Sequence, residues 1–539
     1  MPISSTTIIN QVEKLTSIGI SLSKEKNLAK LLEKILIGAK EITQSDGGTL
    51  YLIKNEMLNF EILRTDSLGF AMGGTTDNPI TLPPINLFLE DKTPNYKNIS
   101  AFSAVTGKTV NIPDAYCAEG FDFQGVKAFD EKHNYHSKSF LTVPMKNHEN
   151  AVIGVLQLIN HIDPDSKEVT YYSNHEQKLA ESLASQAAIA ITNYQLVNDL
   201  KELLEKFIEV IASAIDDKSG YTGGHCRRVP EIAVMLAKAI SNTKIGKFKD
   251  IEFNEKEMYE LHIAALMHDC GKITTPVHVV DKATKLETIY DRIEIVKARS
   301  ETLKKDAELK MLKIKLESSN ELKIKKAENE YHNFVQKIND DIAFLQSSNI
   351  GSEYMNPDAI KRIQEISKHS WISEDGKSHN LLTEDEIKNL SIPKGTLTND
   401  ERKIVNHHIV MTQKMLEALP FPRHLKNVPE IAGNHHERMD GKGYPRGIKG
   451  ENLSIQARLM CIADIFEALT ADDRPYKKAM NLSVALRILG EMKLDEHIDP
   501  DIFNVFINEK VYLQYANKFL ETGQIDKIDI KGIPGCQTG

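Results

Sequence analysis

Two adjacent histidines open the run His435-His436-Glu437-Arg438-Met439-Asp440-Gly441-Lys442-Gly443-Tyr444-Pro445, which ordinary packing does not explain. Imidazoles on neighbouring residues can both reach a pair of metal ions, and the acids, glycines and Tyr-Pro that follow describe a tight loop beside them. The same chemistry recurs along the chain. His268-Asp269 ends an apolar run, His225 follows Gly223-Gly224, His408 rides a helical stretch, and Asp464 sits inside the apolar Ile462-Ala463-Asp464-Ile465-Phe466. An unpaired carboxylate buried there costs several kcal/mol, a penalty that a metal ion removes. The competing reading bonds Asp464 to backbone or to Arg458. Because His268 and Asp269 are neighbours, a bent helix can aim both into one cavity, with Asp269 bridging two ions. Histidine and carboxylate ligands without thiolates favour iron, manganese or zinc. Any one of these histidines alone would be an ordinary core residue. Seven groups with one consistent assembly point instead to a dinuclear metal hydrolase.

The bulk properties narrow the setting. A chain of 539 residues is too long for one core, and about two to four domains are expected. With 41% hydrophobic and 27% charged residues it is globular rather than disordered. A net charge of −9 provides no broad basic field for DNA or an anionic membrane, so any nucleotide must be held locally. Cys117, Cys226, Cys270, Cys461 and Cys536 have no paired spacing, which suits free thiols in a reducing compartment. Cys226 and Cys270 adjoin candidate ligands but read as small packing residues. No signal peptide and no membrane-spanning stretch are read, so a cytoplasmic location is expected.

The elements that must position these groups follow from periodicity. Residues 1–45 read as helix, with Ile9, Val12, Leu15, Ile18 and Leu22 at three- and four-residue steps. Short strands follow at Thr49–Ile53 and Leu58–Leu63, then a hairpin of Leu141–Lys146 and Val152–Ile159. Ser173 and Glu176 form a capping box for a helix running from about Asn174 toward Ile211. The segments Ser139-Phe140-Leu141-Thr142-Val143-Pro144-Met145-Lys146-Asn147 and Val152-Ile153-Gly154-Val155-Leu156-Gln157-Leu158-Ile159-Asn160, with Phe121-Asp122-Phe123 and Phe129-Asp130, resemble a GAF domain. That resemblance implies a small-molecule sensor, often of cyclic nucleotides, or a module that only dimerises.

Residues 284–350 are rich in Lys and Glu, with Ile289, Ile293, Val296, Ser300, Leu303 and Ala307 in heptad steps, so a helical hairpin or coiled-coil arm is expected. His332, His369 and His379, in or after this insert, read as surface residues. A capping box from Thr398 to Glu401 starts the helix carrying His407 and His408, and Pro429-Glu430 starts a short helix toward His435. Ile455–Thr470 and Ser483–Met492 are again helical. The expected order is a sensor over 1–195, a connecting helix over 196–220, a first catalytic part over 221–283, a helical insertion over 284–395, a second catalytic part over 396–520, and a tail over 521–539. The fold class expected is an α+β domain, an antiparallel sheet flanked by helices, followed by an all-α catalytic domain with that insertion.

His268-Asp269-Cys270-Gly271-Lys272 is similar to the core of HD-domain phosphohydrolases, and His435 to Pro445 fits the pattern HHExxDGxGYP. With Tyr221-Thr222-Gly223-Gly224-His225, Ala468-Leu469-Thr470 and Arg474-Pro475-Tyr476-Lys477, the chain resembles HD-GYP phosphodiesterases of cyclic di-GMP. The resemblance implies one ion held by His225, His268, Asp269 and Asp464, and a second held by Asp269, His408, His435 and His436. His408 is preferred to His407 by its distance from Thr398. Asp269 and Lys272 would be catalytic, Lys272 beside the attacking oxygen. Arg474 and Lys477, with Lys272, would pair with substrate phosphate, and Tyr444 would line the pocket. Glu437 and Asp440 are read as braces of the histidine pair. Some family members place a glutamate four residues before the first histidine and hold a third metal; here that position is Tyr221, so two divalent ions are expected, iron or manganese, with zinc as a further option.

The function implied is hydrolysis of cyclic di-GMP to pGpG, with or without GMP, by a homodimer regulated through its GAF sensor. Three rivals stand beside it: an inactive receptor of cyclic di-GMP or metal, an HD phosphohydrolase of another nucleotide, and, ranked last, a scaffold built on the coiled-coil arm.

Overall fold

The computed structural model describes residues 5–218, 224–244, 246–351, 354–373, 375–472 and 479–536. The chain divides into two compact units, Met1–Leu204 and Glu205–Gly539.

The first unit opens with α1 (Ser5–Lys24) and α2 (Leu28–Thr43). The single helical stretch expected over 1–45 is broken at Asn27, whose side chain accepts the Lys30 amide at 3.0 Å and starts a second helix. The strands β1 (Ser45–Lys54), β2 (Met57–Thr65), β3 (Phe70–Gly73) and β4 (Ile85–Asn86) follow. Next come α3 (Ile99–Thr106), β5 (Val110–Ile112), α4 (Gln124–His133), β6 (Phe140–Lys146), β7 (Val152–Ile162) and β8 (Val169–Thr170). The sheet runs β3-β2-β1-β7-β6-β5, with β4 beside β2 and β8 beside β7, and its neighbours are antiparallel. Alternation puts Leu50 and Leu52 of β1, and Leu156 and Leu158 of β7, on one face against Leu32, Ile35 and Leu36 of α2. Helix α5 (Asn174–Lys218) starts at Ser173, whose amide donates to Glu176 Oε2 at 2.9 Å. Its early turns bring Leu183, Ala187 and Ile191 into the same core. This is the α+β architecture expected of the first domain.

The second unit is mainly helical. It begins with α6 (His225–Asn242), α7 (Glu255–Met267) and a 3₁₀ turn over Cys270–Thr274, then α8 (Val277–Val280). Beyond it lie α9 (Ile293–Glu317), α10 (Glu321–Asn349), α11 (Pro357–Ile366), β9 (Ser370–Ile372), β10 (Ser378–Asn380) and α12 (Glu384–Leu390). The last part comprises α13 (Asn399–Glu417), α14 (Val428–Gly433), α15 (Ile455–Thr470), α16 (Leu482–Leu494), α17 (Pro500–Asn508) and α18 (Val511–Phe519). The β9–β10 hairpin departs from the all-helical expectation.

Helices α9 and α10 form the expected hairpin, burying Ile293, Val296 and Leu303 with Ile338, Ile342 and Leu345. Ile289, placed on that stripe by its spacing, is instead 94% exposed. The helix begins only at Ile293, after a turn in which Arg292 Nε donates to the Leu286 carbonyl. His332 and His379 are exposed, whereas His369 is half-buried with Nε2 3.4 Å from Asp341. Among the described residues no helix is long and apolar enough to cross a membrane.

Candidate metal centre

Capping decides where the site residues leave their helices. A capping box between Asn254 and Glu257 starts α7, which ends on His268 as its C-cap, and Asp269 is the N-cap of the 3₁₀ turn that follows. The two neighbours are therefore released at a helix end, where backbone direction changes. A second box, Thr398 with Glu401, starts α13 and fixes the turn on which His408 is buried and His407 exposed. His225 is the first residue of α6, His435 and His436 follow the end of α14, and Asp464 lies in the middle of α15.

These stretches converge. His225 Nε2 lies 3.2 Å from His268 Nε2, 3.4 Å from Asp269 Oδ2 and 3.3 Å from Asp464 Oδ1. His268 Nε2 is 3.2 Å from Asp269 Oδ2 and 3.7 Å from Asp464 Oδ1, and His408 Nε2 is 3.2 Å from Asp269 Oδ1. The His435 ring is 4.8 Å from the His268 ring and 4.1 Å from the His436 ring. Among the described residues, three ligand-competent triads result: His225, His268 and Asp464; His408, His435 and His436; and His268, Asp269 and His435. Arg458, the rival partner for Asp464, pairs instead with Asp499 at 2.5 Å.

Hydrogen bonding sets the tautomers. Nδ1 of His268 faces the Ala265 carbonyl and Nδ1 of His435 the Ala432 carbonyl, each at 2.7 Å, while His408 Nδ1 faces that of Val405. A carbonyl only accepts, so each Nδ1 carries the hydrogen and leaves an Nε2 lone pair in the neutral ring. His408 Nε2, His435 Nε2 and Asp269 Oδ1 are buried without a hydrogen-bond partner. His408 Nε2 and Asp269 Oδ1, although 3.2 Å apart, do not meet in hydrogen-bond geometry. Buried polar atoms are rarely left in that state. Lone pairs and carboxylate oxygens converging without donors are what divalent cations satisfy, so this donor set fits divalent metal ions.

Charge is divided across the site. Burial opposes ionisation of Asp269, but Lys272 and His268 outweigh it and hold that carboxyl well below its usual range. Asp464 is held low against burial by His225 and His268. Burial likewise disfavours charging His268, yet Asp269 draws its pKa up to about 9. Burial and the neighbouring His268 push His435 down to about 4. Two rings thus lie in an anionic half of the cavity, and His435 and His436 in a neutral half.

The remaining candidates separate. Lys272 Nζ is 2.5 Å from Asp269 Oδ2, so it sits beside the proposed bridge. Tyr444 lies tilted against His436, with ring centroids 4.8 Å apart, and helps line a cavity of about 490 Å³ with His435, His436, Arg438, Lys442 and Asp464. Tyr221, Arg474 and Lys477 lie outside the described residues. Among the described residues, neither Glu437 nor Asp440 is hydrogen-bonded to a histidine ring. Glu437 accepts the Arg446 and Ile448 amides at 2.8 and 2.9 Å, and Asp440 is paired with Arg438 at 2.8 Å. Both brace the loop rather than the histidines. The carboxylate on a ring is Glu467, facing His225 Nδ1 from one turn beyond Asp464. The sequence reading missed it, although Asp464 and Glu467 are spaced to share a helix face.

The GAF domain family matches residues 27–191, and HD domain families match residues 222–337 and 383–502. A 3′3′-cGAMP-specific phosphodiesterase of Vibrio cholerae is 43% identical over 110 residues, covering 20% of this chain and 23% of that protein. A cyclic di-GMP phosphodiesterase of Pseudomonas aeruginosa is 36% identical over 132 residues, covering 24% of this chain and 31% of that protein. The chain therefore spans less than a third of the length of either relative. Among solved structures, the GAF domain of an Acinetobacter phosphoenolpyruvate-protein phosphotransferase aligns with 35% of this chain and 97% of its own, at 17% identity and a TM-score of 0.26. On the family matches, the chain joins a GAF domain to a following HD domain.

Proposed function

We propose that this chain is a cytoplasmic, metal-dependent phosphodiesterase of the HD-GYP type that opens cyclic di-GMP to pGpG, with a GAF sensor of a small molecule as its regulator. The observation that carries this reading is the set of buried, donor-free atoms His408 Nε2, His435 Nε2 and Asp269 Oδ1, with His408 and Asp269 3.2 Å apart and His435 in a ligand-competent group with each. His225, His268, Asp269 and Asp464 would hold one ion, and Asp269, His408, His435 and His436 the other. When bound there, two divalent ions, iron or manganese by ligand type, would supply a water nucleophile of lowered pKa and positive charge for the phosphoryl group. Lys272 keeps Asp269 ionised and adds a cation beside the reacting oxygen. Tyr444 walls the adjoining cavity, whose Arg438 and Lys442 offer positive charge to a phosphodiester. Arg474 and Lys477 are proposed as further phosphate contacts.

Anaerobically purified protein loaded with iron or manganese should linearise cyclic di-GMP, and chelation should stop it. An intact substrate after full loading, with tight binding, would favour a receptor instead. A second reading, cleavage of 3′3′-cGAMP, is favoured by the 43% identity to a phosphodiesterase named for it. Competition between the two cyclic dinucleotides in one assay separates them.

The homodimer is proposed to form through α5. Leu196, Leu200, Leu203, Phe207 and Val210 step by four and three along it and are between 54% and 68% exposed, an unpaired heptad seam. Replacing Leu200 and Leu203 by glutamate should convert dimer to monomer in sedimentation. A monomeric parent chain would refute the dimer.

A further inference from the structure

Three of the five site rings are backed alike, and His225 is backed differently. His268, His408 and His435 point Nδ1 at the backbone carbonyl three residues earlier, a contact of partial charge. His225 points Nδ1 at Oε2 of Glu467, a full negative charge, and Glu467 Oε1 accepts Nε–H of Arg228 at 2.7 Å. Glu467 is completely buried. The arrangement is an interlock of two helices: His225 and Arg228 are one turn apart on α6, as are Asp464 and Glu467 on α15. Each helix supplies a candidate ligand and, one turn later, a member of the Arg228–Glu467 pair, whose carboxylate faces the His225 ring.

We propose that Glu467 is a positioning residue that makes the two ion positions unequal, so that the position bounded by His225, His268 and Asp464 fills first and more tightly. This rests on the metal-hydrolase reading only for the presence of the ions. A carboxylate behind an imidazole fixes the Nδ1–H tautomer, orients the ring and raises the basicity of Nε2. A backbone carbonyl fixes the tautomer with less charge behind it. The remaining donors add to the difference. The first position has Asp464 of its own, whereas the second has His408, His435 and His436, and Asp269 lies between both. Divalent cations such as Mn²⁺ prefer carboxylate oxygen to neutral imidazole.

The test is a titration of the metal-free full chain with Mn²⁺, reading free ion by electron paramagnetic resonance, and in parallel with Co²⁺, reading its visible ligand-field bands. The parent chain should bind in two resolved steps. Glu467→Gln, of equal size, should weaken the first step by about 10- to 100-fold, the range for loss of a group backing a metal-binding histidine. Glu467→Asp, which keeps the charge, should recover part of that loss. His436→Ala should remove the second step and spare the first. Circular dichroism and thermal melting establish that each variant is folded. Two ions binding to the parent with one affinity, or a first step unchanged in Glu467→Gln, would overturn the proposal. If the two steps behave as described yet cyclic di-GMP stays intact, the phosphodiesterase reading falls and this one stands.

Discussion

Asp269→Asn is expected to lose at least one of two bound ions and to lower phosphodiester hydrolysis on the order of a thousandfold, the loss that several kcal/mol of missing charge stabilisation produces. Its two oxygens serve opposite sides of the cavity. Oδ2 lies 2.5 Å from Lys272 Nζ and 3.2 Å from His268 Nε2, while Oδ1 lies 3.2 Å from His408 Nε2. Asparagine fills the same space, so packing is preserved. It removes the negative charge, however, and one of its two terminal atoms becomes an NH₂ donor. If the amide nitrogen turns toward Lys272, two donors face each other; if it turns toward His408, it occupies the lone pair an ion needs. Neither orientation can bridge two cations. Metal content measured alongside turnover checks the expectation. Two ions retained with less than a tenfold fall in rate would show that Asp269 does not bridge.

What the sequence made legible follows from how local the signals are. His268-Asp269, the adjacent histidines and the capping boxes at Thr398 and Ser173 are short-range patterns; the first two lie where α7 and α14 end, and the boxes mark where α13 and α5 begin. Asp464 was legible because a lone acid in an apolar helix needs a partner. Glu467 is also buried in that helix, but recognising its role required knowing that α6 lies alongside, which is tertiary information. Glu437 was misread for a related reason. Its two amide donors, at Arg446 and Ile448, depend on how the loop folds back, and no spacing rule predicts that. Ile289 shows the limit of periodicity. The heptad step continues through it, yet the chain turns before Ile293, and periodicity carries no information about where a helix begins. The break at Asn27 was in principle readable, since asparagine is a strong N-cap and residues 23–27 are all polar.

Gly271→Ala is expected to be the most damaging single-methyl change in the second unit, although Gly271 is not a candidate ligand. Gly271 lies two residues after Asp269 in the 3₁₀ turn, where the turn presses directly on α13. A Cβ there would stand 1.9 Å from the His408 carbonyl oxygen and 2.5 Å from the Thr412 amide nitrogen, both backbone atoms of one helix. Flexible side chains can swing away from such an overlap, but a helix backbone has to move as a body. The turn and α13 would therefore separate, lengthening the 3.2 Å approach of His408 to Asp269 and breaking the 2.9 Å bond from the Gly271 amide to Thr412 Oγ1. Overpacking of this kind costs about 1–3 kcal/mol, and a buried amide left unpaired costs about 1–3 kcal/mol more. A fall in melting temperature on the order of 10 °C is expected, since each kcal/mol shifts a mid-sized domain by about 2–4 °C. The second ion should be affected most, because its proposed ligands are split between the turn and α13. Thermal melting of the metal-free chain isolates the packing cost, and the same melt with Mn²⁺ adds the loss of binding. A variant that melts with the parent chain and still gains stability from two ions would show that the turn tolerates the methyl group, and that the contact between Gly271 and α13 does not hold the two halves of the site in register.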